Sequence, residues 1–178
     1  ELFSVIAHVL ASEIRKKKLQ EYLLRLSYQD QLTGIQNNTS YIRMLNQLLE
    51  HPVPVGVAFA DLNGLKYLND TYGHEYGDQA LRHLAEVSME YFAKDQLYRI
   101  SGDEFVIICP KVQEEVFIRQ AQLLKERLKQ EEQGLAAFGY LWNDGTTAAD
   151  RLLHGAERLM YQEKQQHYRD STRRVQEC

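Results

Sequence analysis

The sequence predicts an α+β fold: a sheet with an antiparallel element, flanked by helices and preceded by one long helix. Three observations predict it. Short apolar strand-like runs alternate with amphipathic helical stretches. Two of those runs are joined by Ser101-Gly102-Asp103-Glu104, a segment of hairpin length, which argues against a doubly wound parallel sheet. The first thirty residues contain neither Gly nor Pro.

Those thirty residues carry apolar side chains at 3-4 spacing, at Leu2, Val5, Val9, Leu19, Leu23 and Leu26, with Ser12 and Lys16 filling the same seam. This is the pattern of a long amphipathic helix able to pair as a coiled coil. Arg15-Lys16-Lys17-Lys18 reads as its solvated face. Asp30-Gln31-Leu32-Thr33-Gly34 should end the helix. A second helix is expected over Ser40 to Glu50, with Tyr41, Met44, Leu45, Leu48 and Leu49 inward. His51-Pro52 closes it, because a residue before proline avoids the helical region. Val55 to Ala60 is a buried strand leading into Asp61.

Leu65 to Tyr72 reads as a short helix, and Asp78 to Phe92 as a longer one with Ala80, Leu81, Leu84, Ala85 and Val87 inward. Leu97 to Ile100 and Phe105 to Cys109 are the hairpin strands. Val112 to Gln133 is helical, burying Val116, Ala121, Leu124 and Leu128. Leu135 to Trp142 is a strand, Asn143-Asp144-Gly145 a turn, and Thr147 to Gln166 the last helix. The final dozen residues are polar and expected to fray.

At 178 residues, 44% hydrophobic and 26% charged, the chain has the makings of one globular domain rather than a disordered one. Its net charge of −4 argues against a nucleic-acid surface but not against a nucleotide. Cys109 and Cys178 form no disulfide framework and no zinc spacing, which fits a reducing cytoplasm. The apolar stretch Leu2 to Ala11 is too short to cross a bilayer, and no basic segment precedes it as in a signal peptide.

Acids stand where strands end: Asp61 after the first strand, Asp103 and Glu104 at the hairpin tip. If the strands are neighbours, these carboxylates converge as oxygen ligands for Mg²⁺, with substrate phosphates completing the shell. Gly64, at a strand-to-helix turn, would let backbone N–H groups approach a phosphate, and Lys66 adds a cation. The Gly-Lys-Ser/Thr loop and the G-x-G-x-x-G fingerprint are both absent.

Arg99-Ile100-Ser101-Gly102-Asp103-Glu104-Phe105 resembles the signature of the GGDEF family, the diguanylate cyclases. Asp30 to Gly34 resembles the family's opening motif, Asp61 to Asp78 its D-[LI]-[DN]-x-[FL]-K-x-x-N-D-x-x-G-H-x-x-G-D block, and Ala156 to Lys164 its closing helix. The likeness spans about residues 28–166. It implies a palm-like, mainly antiparallel sheet and the condensation of two GTP into cyclic di-GMP with loss of two pyrophosphates. It implies a homodimer in which each subunit presents one GTP, and Mg²⁺, with Mn²⁺ as a substitute. Asp61, the Leu62 carbonyl, Asp103 and Glu104 would be the metal and catalytic groups. Asn63, Gly64, Leu65, Lys66, Gly102 and Lys164 would surround the phosphates, and Asn69 and Asp78 would read guanine. A carboxylate can accept the N1–H and N2–H of guanine, which adenine does not offer. The division that follows is a signalling helix over 1–29, similar to the exit helix of a GAF or PAS sensor, a catalytic domain over 30–170, and a polar tail over 171–178.

Within this likeness, Gly73, His74 and Gly77 shape the turn between helices rather than touch substrate, Phe105 and Tyr161 are packing residues, and Arg99 either pairs with an acid or binds phosphate. Departures are equally specific. Ser101 replaces the first Gly of the signature, Asn63 an acid, and Asn38 an Arg of the opening motif. Tyr168 occupies the usual phosphate-binding Arg position, with Arg169 one residue off. Phe92-Ala93-Lys94-Asp95 stands where product-inhibited members carry R-x-x-D, so inhibition through that site is not expected. Ser101 and Tyr168 keep a second reading open, a catalytically weak domain that binds GTP as a regulatory module. A dimerisation unit without ligand is a third.

Overall fold

A computed structural model describes residues 2–131 and 134–176, without the side chains of residues 2–5, 7, 9, 25, 168 and 170–176. The elements run α1 (Leu2–Tyr28), β1 (Gln36–Asn37), α2 (Asn38–Glu50), β2 (Val55–Leu62), α3 (Leu65–Tyr72), α4 (His74–Met89), β3 (Leu97–Ser101), β4 (Glu104–Pro110), α5 (Glu114–Gln130), β5 (Ala136–Asn143) and α6 (Ala149–Gln176). A 3-10 turn, Lys94–Gln96, precedes β3. The five strands lie in the order β1-β3-β4-β2-β5. Only the β1–β3 pair is parallel, so the expected mainly antiparallel α+β architecture is present.

β2 is the centre of the molecule. All eight of its residues are buried, because β4 and β5 pair with it on either side and helices cover both faces. Ala58, Ala60 and Leu62 face α4 and α5. Val55, Val57 and Phe59 face α2 and α6. The strand's period of two therefore sends Asp61 to the α6 face and Leu62 to the α4 face.

α6 lies directly on the main chain of β5. A Cβ on Gly139 would sit 2.2 Å from the Met160 nitrogen and 2.3 Å from the Ala156 oxygen. Lys125 of α5 closes the open edge of β5, donating to the Phe138 carbonyl at 3.2 Å and pairing with Glu163 of α6 at 2.5 Å. A lysine set on an edge strand is one means of discouraging pairing with another chain.

The end of α1 is tied to α2. Asn37 caps α2 by accepting from the Ser40 N–H and donates to the Ser27 carbonyl at 3.0 Å, while the Ser40 hydroxyl donates to the Tyr28 carbonyl. Upstream, Leu19, Leu23 and Leu26 are exposed. The seam side chains Leu2, Val5 and Val9 lie outside the described residues. Among the described residues no helix is long and apolar enough to cross a membrane.

Several expectations change. α4 starts at His74, not Asp78, because Gly73 at φ 89° and ψ 162° ends α3 and opens α4 at once. Gly77 is then helical, and its missing Cβ makes room for Asn69, whose Oδ1 would stand 2.0 Å away. Leu49 and Val116, expected inside, are 45% and 47% exposed. Phe117 takes the buried place in α5, against Phe92 and Tyr140. α6 does not stop near Gln166 but continues to Gln176.

Candidate active site

The hairpin turn and the end of β2 meet through the main chain. The Leu62 N–H donates to the Asp103 carbonyl at 3.1 Å, and Asp61 stands opposite Glu104 in the β2–β4 register. Asp61 is only 5% exposed. Its Oδ1 accepts from Lys164 of α6 at 2.5 Å. Burial raises the Asp61 carboxyl above its ordinary pKa, the Lys164 hydrogen bond opposes this, and the charges of Asp103 and Glu104 add to the rise. Asp61, Glu104 and Lys164 share a cleft of about 430 Å³.

After Leu62 the chain turns sharply. The Asn63 N–H donates to the Leu135 carbonyl and its Nδ2 to the Gly134 carbonyl, fixing the turn to the start of β5. The Asn63 Oδ1 is buried without a hydrogen-bond partner among the described residues. Gly64 at φ 68° is left-handed and opens α3, with no atom within 4 Å of where a Cβ would be. This leaves bare main chain beside the first turn of α3, where Leu65 is half-buried and Lys66 exposed. Asn69 lies against Gly77, the residue before Asp78, so these two candidate guanine contacts come from adjoining stretches of α3 and α4.

Arg99 pairs structurally. Its Nη1 donates to Asp30 at 3.1 Å, and its Nε and Nη2 both donate to the Gly102 carbonyl, at 3.0 and 2.7 Å. Asp30 also accepts from the Thr33 N–H and hydroxyl. Burial pushes the Asp30 carboxyl up, but the Thr33 hydrogen bonds and Arg99 together hold it below the usual carboxylate value. The opening motif thus braces the hairpin tip. Ser101, in the first glycine position, donates to Glu104 Oε2 at 2.5 Å.

Among the described residues no three His, Cys, Asp or Glu side chains close round one point. The donor set nevertheless suits a hard divalent cation. It offers carboxylate oxygens at Asp61 and Glu104, the Asp103 carboxylate near enough to raise Asp61, and a main-chain carbonyl at Leu62. With one oxygen from each group that is four ligands, fewer than the six of an octahedral shell, so phosphate oxygens would complete it.

Five residues of the cleft wall were not among the expected site residues: His154, Glu157, Arg158, Met160 and Tyr161. Tyr161, expected to pack, is 57% exposed. Their spacing to Lys164 along α6 was the available signal, but it repeats on every helix and singles out none. The Tyr168 side chain lies outside the described residues, and Arg169 is exposed.

The sequence profile described as "Diguanylate cyclase, GGDEF domain" matches residues 27–170. The chain belongs to the GGDEF family. DgcP, a diguanylate cyclase of Escherichia coli K12, is 29% identical over 92% of this GGDEF chain and 54% of its own length. PdeR of the same bacterium, named a cyclic di-GMP phosphodiesterase, is 31% identical over 64% of this chain and 18% of its own. The solved coiled coil and GGDEF domain of DgcB from Caulobacter crescentus, in complex with c-di-GMP, shares the fold. Its TM-score is 0.73 at 20% identity, covering 92% of this chain and 94% of that one. The GGDEF chain therefore spans about half of DgcP and less than a fifth of PdeR.

Proposed function

We propose that this GGDEF domain is the catalytic output of a diguanylate cyclase, joining two GTP into cyclic di-GMP across a homodimer. The observation that carries the reading is the meeting of Asp61, the Asp103–Glu104 turn and Lys164 at one end of β2. The similarity to DgcP supports it.

In this reading Asn69 and Asp78 accept the guanine N–H groups, and the open main chain from Leu62 to Lys66 receives the phosphates, with Gly102 bordering them and Lys66 and Lys164 supplying charge. Each 3′-hydroxyl oxygen forms a bond to the other nucleotide's α-phosphorus, and pyrophosphate leaves with the electrons of the broken P–O bond. Glu104 accepts the 3′-hydroxyl proton. Asp61, the Leu62 carbonyl, Asp103 and Glu104 would hold Mg²⁺, which would supply charge stabilisation at the phosphoryl oxygens. Lys164 fills the role of counterion to Asp61 before nucleotide arrives.

Incubation with GTP and Mg²⁺ should yield cyclic di-GMP, resolved by chromatography, and Asp103→Ala should abolish it without unfolding the chain. Full activity in that variant would sink the metal assignment. A GTP-binding regulatory module is the second reading, favoured by the Ser101–Glu104 hydrogen bond, which engages a catalytic carboxylate, and by the likeness to PdeR. It predicts GTP binding without product.

Two regulatory features complete the proposal. The exposed Leu19, Leu23 and Leu26 of α1 suit pairing of two copies below an upstream sensor in the cytoplasm. Phe92 is 3% exposed and packs on Phe117 at 5.9 Å, so its position presents core, not a cationic ligand contact. Added cyclic di-GMP should therefore leave the initial rate unchanged. A rate that falls with micromolar product would contradict this.

A further inference from the structure

We propose that the α6 flank of the cleft, anchored by Arg158, receives the second nucleotide, the one carried by the other subunit. The inference rests on the cyclase reading and deepens it. The contacts assigned to a subunit's own GTP are the turn after β2, Gly102, Lys164 towards the far end of the α6 wall and, for guanine, α3 and α4. α4 packs on one face of the sheet and α6 on the other. Asp61 points to the α6 face, and the cleft lined by Asp61 and Glu104 opens there, walled by His154, Arg158 and Tyr161. A partner's 3′-oxygen has to reach the same carboxylates, and this face provides the room.

The chemistry of the wall suits a nucleotide. Arg158 is exposed and has no ion pair among the described residues. A guanidinium donates two parallel hydrogen bonds to a phosphate. His154 Nδ1 lies 2.7 Å from the Asp150 carbonyl, which places the ring proton there and leaves Nε2 to accept from a ribose hydroxyl. Tyr161 offers an exposed ring. His154, Arg158 and Tyr161 follow at i, i+4 and i+7, one stripe of a helix. Arg158 precedes Lys164 by six residues, about 9 Å along the axis, so the two cations suit different phosphate groups. Glu157 is the one carboxylate that this stretch of α6 adds to the wall, and its charge, after burial, also helps to raise the Tyr41 hydroxyl pKa.

The test compares wild type, Arg158→Ala and Arg158→Lys. Turnover is followed against GTP concentration, and binding of α,β-methylene GTP by fluorescence titration at low protein concentration. Arg158→Ala should lower kcat about tenfold or more while analogue affinity changes less than about twofold, and Arg158→Lys should recover part of the rate. Wild-type turnover in Arg158→Ala overturns the proposal. So does an equal loss of analogue affinity, which would put Arg158 on the subunit's own nucleotide. A wild type that makes no cyclic di-GMP overturns the cyclase reading and this proposal with it.

Discussion

Two acids of this chain show opposite balances of charge and burial. Asp61 has a raised pKa, so its contribution to stability is present below the unfolded value of 3.8 and is lost as pH rises through the higher folded value. At neutral pH its charge is carried at a cost. Asp61→Asn should therefore end turnover while leaving the melting temperature at pH 7 equal to or above that of the parent. A clear fall in melting temperature would refute this. Asp30 has a lowered pKa, so its contribution is present above 3.8 and is lost as pH falls through the lower folded value. Asp30→Asn should cost about 2 kcal/mol in denaturant titrations at neutral pH, with little effect at pH 2. Burial, with a smaller push from Asp95, raises the Cys109 thiol to about 12. In the native protein Cys109 should resist thiol reagents at pH 8 that label it at once in the unfolded chain, read by peptide mapping that separates it from Cys178. Asp61 and Asp103 were legible in the sequence because strand ends and turn residues announce themselves. The partner of Arg99 was not, since Asp30 lies 69 positions away and only the fold brings it near.

At the scale of elements, β2 to β5 are legible, β2 because it is apolar on both faces, whereas β1, the polar pair Gln36–Asn37, carries no strand signal. Helix starts were read less well. Two glycines before Asp78 resemble a loop, yet only Gly73 adopts a positive φ, and Gly77 is excused a side chain by Asn69. α5 starts at Glu114 rather than Val112, and the buried place in its first turns belongs to Phe117 rather than Val116. Phe117→Ala should cost about 3–5 kcal/mol, measured by urea titration, whereas Val116→Ala should stay within about 1 kcal/mol. The contact between β5 and α6 is stricter. Gly139→Val sets a branched side chain against helix backbone and should destabilise by about 2–3 kcal/mol. It should also lower turnover in the folded fraction, because α6 carries Lys164.

For the whole molecule, the division between α1 and the rest follows from what each buries. From β1 to α6 the chain surrounds its own core, whereas α1 leaves Leu19, Leu23 and Leu26 in water. Leu23→Lys should leave the thermal stability of the catalytic unit unchanged and lower turnover most at low protein concentration, as a weakened dimer does. Unchanged turnover under those conditions would remove α1 from the account. The sequence showed this helix by its period but gave no means to place the cleft wall on α6, which depends on how a helix sits on a sheet. That seat is Gly139 under Ala156 and Met160, backbone against backbone. Its consequence is a fixed stop. At that point α6 can approach the sheet no closer than two main chains in contact, so the height of Lys164 above the end of β2 has a lower limit that no repacking of the core can pass.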